Sequence, residues 1–271
     1  MRIVTLGPAG SYSHRVAEAV DGDPEDEVAF RETKTDIVAA VADGEFDRGV
    51  VPIENSIEGG VTESLDALAD HEVGVVREVV TPINHALVAR GDEFDTVASH
   101  PQALAQCRDY LAEQYPDVAQ EAVASTARGV ELAREDPTVA AIAHPDNADG
   151  DLQVLAAEIQ DRESNATRFF VVAEPDERTE GGGKSSFVIY PNADYPGLLL
   201  RILEPFAERD LNLTRVESRP SGERLGDYVF HVDVEAGLYQ TRTQEAVDAL
   251  EELLPDGWVR WLGSYDVEHV V

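Results

Sequence analysis

Short apolar runs alternate with helix-period segments from Arg2 to Ala143, and this alternation restricts the possible folds more than any other feature of the chain. Strand-like runs are read at Arg2–Leu6, Val28–Arg31, Arg48–Ile53, Thr96–Ala98, Glu121–Ala124 and Thr138–Ala143. Helical periodicity falls between them, at Ser11–Val20, Thr35–Ala42, Thr62–Ala69, Pro101–Tyr115 and Thr126–Glu135. Val73–Ala89 reads as one long β-rich stretch. Strands separated by helices build open α/β sheets, so an α/β fold of one sheet or two lobes is expected.

The alternation stops at "EPDERTEGGGKSS", where charge and three consecutive glycines, Gly181–Gly183, mark a linker. Beyond it a second pattern runs to completion. "KSSFVIY" is a strand, Tyr195–Arg209 a helix, and "LNLTRVESR" and "GDYVFHVDVEA" are strands. Thr241–Leu254 is a helix and "WVRWLGSY" a last strand. This βαββαβ order predicts a ferredoxin-like domain. The expected division is 1–178, a linker at 179–184, and 185–271; a length of 271 residues suits two domains.

Charge narrows the partners. Against 54 acidic residues stand 21 basic ones, for a net charge of −33, and Lys34 and Lys184 are the only lysines. Such a chain repels nucleic acid and anionic membranes, so neither is expected as a partner. The acids are spread through periodic segments rather than collected in a tail, which reads as a solvated surface adapted to high salt. No apolar run approaches the roughly 20 residues of a membrane span. The apolar run before Gly7-Pro8 is too short for a secretory signal, and a single cysteine excludes an internal disulfide. A reducing cytoplasm fits these features.

Four polar segments share one design: each ends a strand and opens a helix. They are "GPAGSYS" (Gly7–Ser13), "PIENSIEGG" (Pro52–Gly60), "SHPQALAQC" (Ser99–Cys107) and "STA" (Ser125–Ala127). Ligands of open α/β sheets bind beyond the carboxyl ends of strands, where helix N-termini favour anions. Taken singly, each Ser or Thr is an ordinary helix cap. Taken with "NATR" (Asn165–Arg168) at the mouth of the apolar run Arg168–Ala173, they predict a cleft for a small polyanion. Glu54 sits awkwardly there, as a structural acceptor or a proton carrier. The seven histidines have no zinc-ligand spacing, and no phosphate-binding loop is present. Cys107 reads as a small buried hydrophobe, His100 as a structural or substrate contact, and His144 as a cap.

In this order, "GPAGSYS", "PIENSIEGG", "SHPQALAQC" and "NATRFF" resemble the motifs of the prephenate dehydratase family, and "LNLTRVESRP" resembles the phenylalanine-binding motif of its regulatory ACT domain. The resemblance runs from Arg2 to about Tyr265. Ser11 and Tyr12 stand where Thr and Phe are usual, and "GLL" (Gly197–Leu199) where "GAL" is usual. The family implies decarboxylative dehydration of prephenate to phenylpyruvate, with no cofactor and no metal. It also implies a two-lobed catalytic domain like a type II periplasmic binding protein, with lobe one at about 1–75 and 165–178 and lobe two at 76–164. Thr167 matches the essential threonine, which would hydrogen bond the leaving hydroxyl. Arg168 would grip a carboxylate, or else form a buried pair with Glu54 or another acid. Phe169 would wall the ring. Asn55 and Ser56 join Thr167 and Arg168 as catalytic candidates, and Gly10, Ser11, Ser13, Glu54, Ser99, Gln102, Ser125 and Thr126 are substrate-binding candidates. For the effector phenylalanine, bound between paired ACT domains of a homodimer or homotetramer, the candidates are Gly197, Leu198, Asn212, Glu217, Ser218, Arg219 and Pro220. Dehydration of arogenate, and a sensor without catalysis, are the alternative functions.

Overall fold

A computed structural model describes residues 1–20, 27–162, 164–178 and 181–270. Along the chain, lobe one opens with β1 (Arg2–Leu6), α1 (Tyr12–Ala19), β2 (Glu27–Arg31), α2 (Lys34–Ala42), β3 (Arg48–Asn55), β4 (Gly59–Gly60), α3 (Thr62–Asp70) and β5 (Gly74–Pro82). Lobe two follows with β6 (Ala86–Ala89), β7 (Thr96–Ser99), α4 (Pro101–Gln106), α5 (Arg108–Gln114), β8 (Ala119–Ala122), α6 (Thr126–Glu135), β9 (Val139–Ala143) and β10 (Gln153–Ala156). Strand β11 (Ala166–Ala173) returns to lobe one. The second domain comprises β12 (Lys184–Tyr190), α7 (Leu198–Ala207), β13 (Leu213–Pro220), β14 (Tyr228–Val234), α8 (Thr241–Leu253) and β15 (Trp258–Tyr265), and β16 (Val267–His269) comes last.

The two lobes repeat one topology. Lobe one runs β2-β1-β3-β11-β5 and lobe two β8-β7-β9-β6-β10, with β11 and β6 each antiparallel to its neighbours. In each case the antiparallel strand is the one that has crossed from the other lobe, which is the two-lobed order of the type II periplasmic-binding-protein fold. The C-terminal sheet runs β13-β14-β12-β15, the order a ferredoxin-like βαββαβ chain produces. Among the described residues, no helix is long and apolar enough to cross a membrane.

Three expected boundaries move. The lobe split lies not at 75/76 but at 83–85, because β5 pairs with β11 from Gly74 to Pro82 and so belongs wholly to lobe one. The stretch read as one β-run is two strands in different sheets, turning after Pro82. The second domain closes at Tyr265 rather than 271, since β16 leaves it to pair in parallel with β5, Val267 opposite Glu78 and His269 opposite Val80. Lys184, placed in the linker, already begins β12. Thr179 and Glu180 of that linker lie outside the described residues.

Side-chain alternation along β11 divides the interior. Phe169 and Val171 pack with Ile3, Val16 and Val50 on the α1 face. Phe170 and Val172 enter a core with Ile37, Leu65 and Leu68, joined from the C-terminal domain by Val188, Leu262 and Tyr265. Lobe one and the second domain therefore share one apolar core. Their contact is tight enough to require glycine at 263, where a Cβ would meet the Val75 carbonyl oxygen at 2.1 Å.

Candidate active site between the lobes

The cleft between the lobes narrows to a cavity of about 250 Å³. Lobe one contributes Leu6, Gly7, Ser11, Tyr12 and Ser13 from the β1–α1 junction, Pro52 and Asn55 from β3, and Thr167 and Phe169 from β11. Lobe two contributes His100, Gln102, Ala103 and Gln106 from the start and length of α4, and Ser125 and Thr126 from the start of α6; Ile83 and His85 come from the crossing. Among the described residues, every one that lines the cavity is neutral or a histidine, although the chain as a whole is strongly acidic.

Helix starts supply the polar rim. Ser11 caps α1, accepting from the His14 N–H at 3.3 Å, and Ser125 caps α6, accepting from the Arg128 N–H at 3.0 Å. The N–H groups of these first turns have no partners within their helices, and the dipole leaves them partly positive. His100 caps α4 with Nδ1, accepting from Gln102 N–H at 3.3 Å, and burial holds its pKa below the usual histidine value. Burial also lowers His85, only partly opposed by its hydrogen bond to Gln106.

Asn55 is the hub of a hydrogen-bond network on the lobe-one wall of the cavity. Its Oδ1 accepts from the backbone N–H groups of Ile57 at 3.0 Å and Glu58 at 3.3 Å. Its Nδ2 reaches Thr167 Oγ1 at 3.1 Å, Asn165 Oδ1 at 3.1 Å and the Ala166 carbonyl at 3.2 Å. Thr167 thus accepts a hydrogen bond at Oγ1 while lining the cavity. Asn165, only 2% exposed, passes the contact on by donating to Gln106 Oε1 at 2.8 Å.

The cleft is latched on its outer side. Arg15 of α1 pairs with Asp146 of lobe two at 2.7 Å, and Asn147 Nδ2 donates to the Gly10 carbonyl at 3.3 Å. The Tyr12 hydroxyl donates to the Asn84 carbonyl at 2.7 Å, and its ring meets the His85 and His144 rings edge-on. Burial raises the Tyr12 pKa well above its ordinary value, so the phenol remains a donor.

Of the expected site residues, Thr167, Asn55, Phe169, Ser11, Ser13, Gln102, Ser125 and Thr126 line the cavity. Five do not. Arg168 points to the opposite side of β11, where it pairs with Glu54 at 3.0 Å, Glu78 at 2.9 Å and Asp233 of the second domain at 2.5 Å. This is the buried pair with Glu54, not a carboxylate grip, and it places Glu54 as a structural acceptor. Burial works against the Arg168 charge, but Asp233 and Glu78 outweigh it and raise its pKa. Ser56 ties two chain segments outside the cavity, donating to the Ser164 carbonyl at 2.6 Å and accepting from Ala166 N–H at 2.9 Å. Ser99 is fully buried and donates to the Ile142 carbonyl at 2.6 Å. Gly10 serves the lobe latch. Conversely, Tyr12, His85 and Gln106 line the cavity without having been singled out as site residues; the spacing of Gln102 and Gln106, one helical turn apart on one face, was the available signal for the last.

In the second domain, Gly197 and Leu198 line a separate cavity of about 260 Å³ with Tyr228 and Phe230. The other effector candidates do not join them within one chain. Glu217 accepts from Arg215 at 2.7 Å and lies against Gly60, where a Cβ would come within 2.2 Å of its carboxylate. Arg219 pairs with Asp66 of α3 at 3.1 Å, and Asn212 donates to Glu235 at 2.8 Å. Ser218 and Pro220, alternating with these along β13, are exposed.

These features have counterparts in known proteins. Residues 3–177 match the family model for prephenate dehydratase. The chain belongs to the prephenate dehydratase family. Residues 192–254 match the ACT domain. A prephenate dehydratase of Lactococcus lactis subsp. cremoris is 37% identical over 277 residues, covering 98% of this chain and 98% of its own. The crystal structure of a prephenate dehydratase from Arthrobacter aurescens in complex with L-Phe is 36% identical with a TM-score of 0.90, covering 98% of this chain and 90% of that one. The prephenate dehydratase of Staphylococcus aureus subsp. aureus Mu50 is 30% identical with a TM-score of 0.85, covering 98% and 100%.

Proposed function

We propose that this prephenate dehydratase family member converts prephenate to phenylpyruvate, carbon dioxide and water, and that phenylalanine binding at the ACT domain regulates it. The observation that supports the catalytic reading is Thr167 on the cavity wall, its Oγ1 held by a hydrogen bond from Asn55 Nδ2 with the hydroxyl proton free to be donated to a ligand. In prephenate the bond from the ring to its carboxylate breaks, and that electron pair moves through the ring as the C–O bond at the far carbon breaks. The departing hydroxyl takes up one proton and leaves as water. Aromatisation drives both cleavages, so the protein has to position the substrate and assist the leaving oxygen. Thr167 donates to that oxygen. The starts of α1 and α6, with Ser13 and Thr126, receive the two carboxylates. Phe169 walls the ring.

Ligand-induced regulation requires that the effector favour one of two states of the molecule. The cavity at Gly197 supports an effector site, completed by Ser218 and Pro220 of a second copy in a homodimer or homotetramer. The acidic surface supports a salt-rich cytoplasm.

The test is turnover of prephenate by the purified protein in molar KCl, followed as phenylpyruvate with and without phenylalanine. Thr167→Ala should lower kcat by about 10²–10³-fold, the usual effect of removing one donor from a reacting oxygen, with an unchanged melting transition. Wild-type turnover in that variant would refute the role of Thr167, and indifference to saturating phenylalanine would refute the regulation.

A further inference from the structure

We infer that His85 is a positioning residue for Thr167, acting through Gln106, Asn165 and Asn55; the inference rests on the catalytic reading above. The chain of contacts begins at the backbone. Ile57 and Glu58 donate to Asn55 Oδ1, so the amide of Asn55 is held with Nδ2 toward Asn165 and Thr167. Asn165 must then present Oδ1 to Asn55 at 3.1 Å, which turns its Nδ2 toward Gln106. Gln106 must in turn present Oε1, which accepts from Asn165 at 2.8 Å. That same oxygen lies 2.9 Å from His85 Nε2, and an oxygen acceptor requires the proton on Nε2. Two backbone N–H groups thus determine the orientation of three amides and the tautomer of one imidazole.

Each member of this chain comes from a different place. His85 sits in the first crossing between lobes, Gln106 on α4 of lobe two, Asn165 in the crossing back, Asn55 on β3 and Thr167 on β11. His85 is 2% exposed and its backbone N–H is held by Gln160 Oε1 at 2.9 Å, so the ring has a fixed origin. Among the described residues, His85 Nδ1 and Gln106 Nε2 are both buried without a hydrogen-bond partner, so no further hydrogen bond from these two nitrogens secures either side chain. Removing the Nε2 donor leaves Gln106 held only by Asn165, and the rotation of both amides would carry the Asn55 contact to Thr167 with it. His85 and Gln106 also line the cavity, but the helix starts assigned to the carboxylates are not in the chain, so the loss in kcat should exceed any change in KM.

Two variants and one spectrum test this. His85→Leu removes the donor, and should lower kcat by about tenfold to a hundredfold, the scale of a misplaced reacting group, while KM stays within threefold or so. His85→Gln returns an N–H at similar reach and should recover most of the loss. A His85→Leu variant with near wild-type kcat, or a His85→Gln variant no better than it, would overturn the inference. Independently of any turnover, the ¹⁵N spectrum of histidine-labelled wild-type protein at neutral pH should show His85 with a protonated Nε2 and a bare Nδ1. The opposite tautomer would overturn the network. If the wild type formed no phenylpyruvate, the functional reading would fail while the spectrum still judged the network.

Discussion

Thr167 and Arg168 are neighbours on β11 and face opposite sides of it, one toward the cavity and one toward the regulatory domain. Their substitutions should separate accordingly. Arg168→Met leaves Glu54, Glu78 and Asp233 without their shared cation, and breaking such a buried cluster costs about 3–5 kcal/mol. Chemical denaturation in high salt should show this loss, and a double-mutant cycle with Asp233→Asn should show strong coupling. Asp233 illustrates the balance. Burial pushes its pKa up, yet Arg168 and Arg215 overcome this and hold it below the usual carboxylate range. His231, buried beside them, is lowered to about 4, first by burial and then by Arg215. Between about pH 6.5 and 4 the unfolded chain takes a proton at this residue that the folded chain refuses, so stability falls on acidification. The window corresponds to about 3 kcal/mol, and His231→Gln should flatten that part of a stability–pH profile. The strand at β11 was legible in the sequence, but the reading put Thr167 and Arg168 at one site, whereas strand alternation sends them to opposite faces. Which acids waited on the far side was not legible, because Asp233 lies 65 residues away in another domain.

At the level of elements, polar loops at strand ends were legible because helix caps have a fixed chemistry, and Ser11 and Ser125 cap as expected. Hydroxyls within those loops were not distinguishable from one another. Ser13 lines the cavity while Ser99 secures a neighbouring strand, and tertiary packing decides between such placements. Cys107 interrupts the helix expected over Pro101–Tyr115, separating α4 from α5. Burial pushes its thiol up to about 12, so alkylating reagents should label it only on unfolding. Strand β16 escaped notice because three residues carry too little periodicity to announce a strand. It nonetheless completes an edge of the lobe-one sheet, with Val270 N–H donating to the Val80 carbonyl at 3.1 Å. Deleting residues 267–271 should cost roughly 1–3 kcal/mol at about 1 kcal/mol per lost hydrogen bond, measured as a lower denaturation midpoint with the second domain still folded.

For the whole molecule, a net charge of −33 sets self-repulsion against a core shared by lobe one and the regulatory domain. Repulsion between surface carboxylates is screened as the Debye length shrinks to about 3 Å in molar salt, whereas the buried cluster around Arg168 is screened far less. The denaturation midpoint should therefore rise steeply with KCl and then level off. Equal stability in dilute buffer would exclude this account of the acidic surface. Domain number and class were legible because they depend on periodicity and on the glycine-rich break. The seam between the domains was not, since it is made of residues such as Leu262, Tyr265 and Val188 that read as ordinary interior positions of their own sheet.

Strand β16 changes how the regulatory domain is joined to the rest. That domain is reached from β11 and left through β16, and both strands flank β5. In topology it is an insertion held at two points, not an appendage on one tether. A ribosome must finish the regulatory domain before the catalytic sheet can receive its edge strand. Any rotation of that domain must also pull on two neighbours of the same strand at once.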